Sequence, residues 1–189
     1  MEGKIKTALE KAMERAASFR EVSREEIDRM EYMPRGRTIA ASFMNNKNFD
    51  LKDALAQVPA GTQGYVLEGI QEVLLMNIAL SADESADETN RRAMEGILLI
   101  KRDKALLTQL LGELDQLLKY YQQALEQTKE RFKQELEMRG KMNRRQGARG
   151  REQERMMEFR EEWAAVVRQM NDRFEAGLAE IKERIRMIS

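Results

Sequence analysis

Apolar residues recur at steps of three and four along most of this chain, and the longest such run starts near Thr89 and continues to the end. One stripe reads Leu107, Leu110, Leu114, Leu117, Tyr121, Leu125, Thr128, Phe132, Leu136. A second reads Phe159, Trp163, Val166, Met170, Phe174, Leu178, Ile181, Ile185, Ile188. Stripes this narrow and this long predict two helices joined along a coiled-coil seam. When the second stripe is folded back on the first, Phe132/Phe159, Thr128/Trp163, Leu125/Val166, Tyr121/Met170, Leu117/Phe174 and Leu110/Ile181 share one index total, 291. Antiparallel helices of equal rise require a constant total. Leu114/Leu178 is one residue off.

Half of that total falls between Arg145 and Gln146, inside a segment that contains Gly140, Gly147 and Gly150. Each glycine disfavours helix by roughly 1 kcal/mol relative to Ala, and Asn143 also tolerates a turn. An intramolecular hairpin turning within 139–151 is therefore expected. The alternative is one continuous helix of about 100 residues that pairs only between chains.

The first part of the chain predicts shorter helices. Ile5, Leu9, Ala12, Ala16, Phe19, Ile27, Met30 and Met33 form one stripe over 4–33, with Ser23 as its weak spot. Pro34 should end that helix, Pro34-Arg35-Gly36-Arg37 should be a turn, and Ile39, Ala40, Phe43 and Met44 mark a short helix after it. Asp50 is placed to cap a helix carrying Leu51, Ala54, Leu55 and Val58. Pro59-Ala60-Gly61 then breaks the chain. Thr62 is placed to cap a helix whose broad apolar arc, Val66 to Leu80 with Met76 widening it, marks a core element. Gly64 and Gly69 would let a neighbour approach closely. Ser81/Glu84 and Ser85/Glu88 read as overlapping capping boxes at the start of the long arm. The doubled apolar positions Ile97 to Ile100, Leu106/Leu107 and Leu110/Leu111 are wider than a two-helix seam needs, so the base of the arm should be covered by other helices.

The expected fold is all-α: an N-terminal helical head, residues 1–90, packed on the base of a long antiparallel coiled-coil hairpin, residues 91–189. Composition agrees. Of 189 residues 35% are charged and 6% aromatic, with two prolines, the mix of long helices. Net charge is zero, but residues 61–90 sum to −6 and 139–151 to +6.

The chain has no cysteine and no histidine. Disulfides, thiolate catalysis, cysteine-held zinc, the usual general base and a Glu-x-x-His di-iron site are thereby excluded. No stretch is apolar enough to span a membrane and no secretory leader is evident, which predicts a cytoplasmic protein. No set of residues supplies nucleophile, base and oxyanion stabiliser together, so no catalytic residue, cofactor or metal is assigned.

The candidate site is the tip. Arg139, Lys141, Arg144, Arg145, Arg149 and Arg151 stand there with no acid among 139–151. Clustered cations of this kind fit an acidic protein surface or phosphates. No aromatic is interleaved, so stacking on single-stranded bases is not indicated. Met138, Met142, Met156 and Met157 surround the tip and would make an adaptable protein-binding surface. Met30, Met33, Met44, Met76 and Met94 read as core fillers. Arg35 and Arg37 read as salt-bridge partners of neighbouring helices, and Asp83, Glu84, Asp87 and Glu88 as helix-start acids rather than cation ligands. Only one of Tyr120 and Tyr121 can face the seam. The function expected is a homodimeric interaction protein that presents the tip to a protein partner, with RNA or ribosome binding by the same tip as the alternative.

Overall fold

The computed structural model describes the backbone of residues 23–80, 84–145 and 152–188, and the side chains of 23–80, 86–139 and 157–188. The described residues are helical, without a strand: α1 Arg24–Asn45, α2 Leu51–Ala56, α3 Gln63–Met76, α4 Glu84–Ile100, α5 Lys104–Arg145 and α6 Glu152–Met187. The early part of the expected first helix, with Ile5, Leu9, Ala12, Ala16 and Phe19, lies outside these residues.

The first correction is at Ser23. It does not lie inside a helix but starts one. Its hydroxyl accepts from the Glu26 amide at 3.2 Å and its own amide donates to the Glu26 carboxylate at 3.1 Å, a complete capping box. The second is at Pro34. α1 passes straight through it, so neither the break at Met33 nor the turn at 34–37 exists. Proline inside a helix removes one backbone bond and typically costs about 3 kcal/mol. The compensation is tertiary, because α1 crosses α3 through two glycines. A Cβ on Gly36 would lie 2.1 Å from the Val66 carbonyl oxygen, and one on Gly69 would lie 2.3 Å from that of Met33. The ion pairs Arg29–Glu68 (3.2 Å) and Arg37–Glu72 (2.8 Å) flank the crossing on either side. Gly69 thus permits the close approach expected of it. Gly64 faces open space and does not.

Asp50 caps α2 as its sequence position implies, accepting from the amides of Lys52 (2.8 Å) and Asp53 (3.1 Å). Thr62 does not cap α3, since its hydroxyl donates back to the Pro59 carbonyl instead. α3 is a core element, with Val66, Ile70, Leu74 and Leu75 buried. Met76 points outward, 73% exposed, as does Met30. These two are not core fillers, whereas Met33 is half-buried and Met44 and Met94 pack against the core.

The first long arm is not continuous from Thr89. It breaks at Lys101-Arg102-Asp103. The Asp103 side chain takes the Leu106 amide at 3.1 Å, starting α5, and the Lys104 ammonium donates to the carbonyls of Lys101 (2.5 Å) and Leu98, ending α4. The break turns α4 back along α5, so Gln122 donates to Asp87 at 2.8 Å. α4 begins at Glu84, which puts Ser85 inside the helix rather than at its cap, and Glu88 pairs with Lys47. Ser81 to Asp83 lie outside the described residues. The buried Asn90 amide both donates to and accepts from the backbone of Ala79 at 2.9 Å, tying the start of α4 to the end of the α3 segment.

α5 and α6 touch along lines of opposite direction. Glu113 meets Arg184, Tyr121 meets Asn171 and Phe174, Phe132 meets Phe159 and Trp163, and Arg139 meets Glu162. α5 continues through Gly140 and Asn143 to Arg145, past the expected start of the turn. One hydrophobic cluster draws on every helix from α1 to α6, including Phe43, Leu51, Leu74, Ile97, Leu110 and Ile185.

Candidate functional site

The distal parts of α5 and α6 carry the candidate site. Their seam is aromatic. The rings of Phe132 and Phe159 stack with centroids 4.3 Å apart, and Trp163 tilts against Phe132 at 5.2 Å. Nearer the base, Tyr121 meets Phe174 edge-on at 5.4 Å and its hydroxyl donates to Asn171 at 2.9 Å. Tyr121 is buried at the seam and Tyr120 is exposed. The Phe132/Phe159 pairing is the one the index total implies. Tyr121 contacts residues one and four positions beyond Met170. A side chain on one helix enters a hole between several on the other, so a single index total locates contacts only to within a turn.

Arg139 is already engaged. Its guanidinium donates to Glu162 across the seam at 2.9 Å and to Glu135 one turn back at 2.9 Å. The Glu162 carboxylate, then that of Glu135, makes the Arg139 guanidinium hold its proton more firmly than usual. Lys141, Arg144 and Arg145 occupy the end of α5. Their side chains, like those of Met142 and Met156, lie outside the described residues, as do Arg149 and Arg151 altogether. Cations at a helix C-terminus also favour its dipole, which is their purely structural role. Met138 and Met157 are both exposed beside this end.

Of the other sequence candidates, Arg37, Asp87 and Glu88 have partners within the chain. Arg37 pairs with Glu72, as its reading as a helix tie implies, and Arg35 is exposed. Asp87 accepts from Gln122 and lies 3.7 Å from Arg91, while the Lys47 hydrogen bond lowers the Glu88 pKa. No group of three or more metal-type ligands occurs among the described residues.

Sequence reasoning missed Lys101. It is buried, and its ammonium donates to the carbonyls of Arg186 (3.3 Å) and Ile188, fastening the end of α6 to the α4–α5 break. Burial lowers its pKa. Its only sequence signal is a lysine directly after the apolar run Ile97 to Ile100. A cleft of about 650 Å³ opens beside it, lined by Met33, Leu67, Glu68, Glu72 and Arg102 among others. Lys101 itself lines this cleft, and on the opposite wall Glu68 and Glu72 are paired with Arg29 and Arg37.

The model of a family of unknown function, DUF6657, matches residues 52–187. The chain belongs to that family. The DUF6657 match includes α3 to α6 up to Met187, and so both sides of the aromatic seam and the acidic start of α4. No curated protein and no solved structure matches the chain. No helix among the described residues is long and apolar enough to cross a membrane.

Proposed function

We propose that this chain is a non-enzymatic, homodimeric interaction protein. In this reading residues 1–90 form a head on the base of a coiled-coil hairpin, residues 91–189, and the hairpin carries its cationic end to an acidic surface on a protein partner. The observation that carries the reading is the division of burial along α5 and α6. Leu107, Leu110, Leu114, Leu118, Leu178 and Ile185 are buried, while no described side chain of α5 beyond Tyr121 is. Beyond that point folding makes little use of the surface, and there the cations and exposed methionines gather. A cytoplasmic setting belongs to this reading, since a chain without cysteine draws nothing from an oxidising compartment.

Changing Arg144, Arg145, Arg149 and Arg151 together to Ser tests it. The variant should keep its helical circular dichroism and melting, because exposed substitutions usually stay within about ±0.5 kcal/mol. It should lose its protein partner. If the end instead grips RNA phosphates, the wild type will bind RNA with an affinity that falls steeply with salt, and the variant will show a shallower slope. A variant that keeps its partner, with no RNA bound by the wild type at low salt, would refute both readings.

A further inference from the structure

Lys101 is a buried cation without a carboxylate partner among the described residues. It is 8% exposed, and its ammonium donates to two backbone carbonyls, that of Arg186 at 3.3 Å and that of Ile188. The other charged groups around the cleft are committed or stand at its mouth. Glu68 and Glu72 on α3 pair with Arg29 and Arg37, Arg186 on α6 pairs with Glu183, and Arg102 is exposed. No acid therefore holds the Lys101 proton, and burial pushes its pKa down. The neutral amine, the nucleophilic form, is closer to hand here than on an exposed lysine.

The two carbonyls also fix how the nitrogen is turned. A neutral amine has two N–H groups and one lone pair. When the N–H groups are given to Arg186 and Ile188, the lone pair takes a remaining tetrahedral direction. Lys101, Arg186 and Ile188 all line the cleft of about 650 Å³ between α1, α3, the α4–α5 break and the end of α6. Small-molecule sites commonly enclose about 300–1,000 Å³. Met33, Leu67, Ile100 and Ile188 make its wall apolar beside the nitrogen. A desolvated lysine in an apolar pocket is suited to attack on a carbonyl carbon. We propose that this cleft takes a small aldehyde or ketone with an apolar body and that Lys101 Nζ captures it as an imine. The site lies at the base of the arm, apart from the α5 end, and does not depend on the function proposed for that end.

The step needs no oxidant, reductant or further reactant. The Nζ lone pair bonds to the carbonyl carbon, and the C=O π pair moves to oxygen. The two nitrogen protons leave with that oxygen as water, and the C=N bond forms. Amine and carbonyl compound thus give one imine and one water. The protonated imine keeps a single N–H, which serves the Ile188 carbonyl. The Arg186 carbonyl already has a second donor, since the Gln71 side-chain amide reaches it at 3.1 Å. Both carbonyls therefore stay paired after capture.

Reductive trapping tests this on the intact chain. The protein is incubated at pH 7 with butanal and cyanoborohydride, which turns an imine into a stable secondary amine, and the labelled lysines are located by peptide mass spectrometry. Lys101 should be labelled before the exposed Lys52 and Lys119, despite its burial. Its labelling rate should reach half its maximum at a lower pH than theirs. Lys101→Met should lose the early label and leave the slow ones unchanged. Leu67→Trp fills the cleft and keeps the amine. It should suppress labelling at Lys101 alone, with the circular dichroism spectrum preserved. Labelling of Lys101 in the wild type that is no faster than at Lys52 would overturn the proposal and leave Lys101 a helix-end tie. Labelling unaffected in a folded Leu67→Trp variant would overturn the cleft as the route of entry, and the proposal with it.

Discussion

Gly36 and Gly69 bring α1 and α3 together backbone to backbone: a Cβ on Gly36 would sit 2.1 Å from the Val66 carbonyl oxygen, and one on Gly69 2.3 Å from the Met33 carbonyl oxygen. No real Cβ contact is that short, and the obstructing atoms are backbone, so the helices themselves must separate. Gly36→Ala and Gly69→Ala should each destabilise by about 1–3 kcal/mol or more, the cost of overpacking a tight core. This loss should outweigh the roughly 1 kcal/mol that Ala contributes as a better helix former. Gly64→Ala, in open space on the same helix, should be neutral or stabilising. Urea titrations of the three variants compare them directly, and equal effects at all three positions would refute the close-crossing account.

Burial separates two leucines of equal chemistry. Leu74 is fully buried among α1, α3 and α4, and Leu136 is 36% exposed on the distal arm. Leu74→Ala should cost about 2–5 kcal/mol, and Leu136→Ala clearly less. Chemical denaturation measures both, and equal costs would contradict the distribution of packing described for α3 and α5.

Tyr121 joins α5 to α6 in two ways, through its ring on Phe174 and its hydroxyl on Asn171. Tyr121→Phe keeps the ring and should lose about 0.5–1.5 kcal/mol, the net worth of one hydrogen bond. Tyr121→Ala should lose about 3–5 kcal/mol, as large-to-small changes at buried aromatics do. A Phe variant as damaged as the Ala variant would mean that the hydroxyl, not the ring, holds this level of the seam.

Burial pushes the Lys101 pKa below the ordinary 10.5. Below the lowered value both folded and unfolded chains carry the proton, and burial of the charge is at full cost. Between the lowered value and 10.5 the unfolded chain binds more protons, so this group makes stability rise with pH. Lys182, which donates to the Ile78 carbonyl at 2.5 Å and is also lowered by burial, acts in the same sense. Tyr121, raised by burial above 10.0, acts in the opposite sense. Comparison with Lys101→Met isolates the first group: the stability difference between wild type and variant should move in favour of wild type as pH climbs towards 10.5. Denaturation at a series of alkaline pH values reads this, and a difference constant with pH would show that the Lys101 ammonium is as well solvated folded as unfolded.

The sequence alone determined what depends on near neighbours. Helical periodicity carried the all-α class. Asp50 showed its cap, because capping needs only the amides two and three residues on. The phase of the two long stripes implied that Phe132 meets Phe159, because both helices share one rise per residue. The tertiary structure decided what depends on residues far along the chain. Pro34 stays inside α1 because the Gly36–Gly69 crossing anchors the helix on both sides of it, and nothing local to 30–38 reveals that partner. At the break in the long arm Asp103 caps α5 locally, but that Lys101 is buried there follows from carbonyls far along the chain, at Arg186 and Ile188. Met30 and Met76 fit an apolar stripe as well as Met33 and Met44 do, and only the presence or absence of a neighbouring helix puts them outside. Arg139 counts as one of six tip cations in the sequence, yet Glu162 comes within reach only when α6 lies against α5. Local rules act through backbone bonds a few residues apart, whereas burial and ion pairing depend on which helices come to lie side by side.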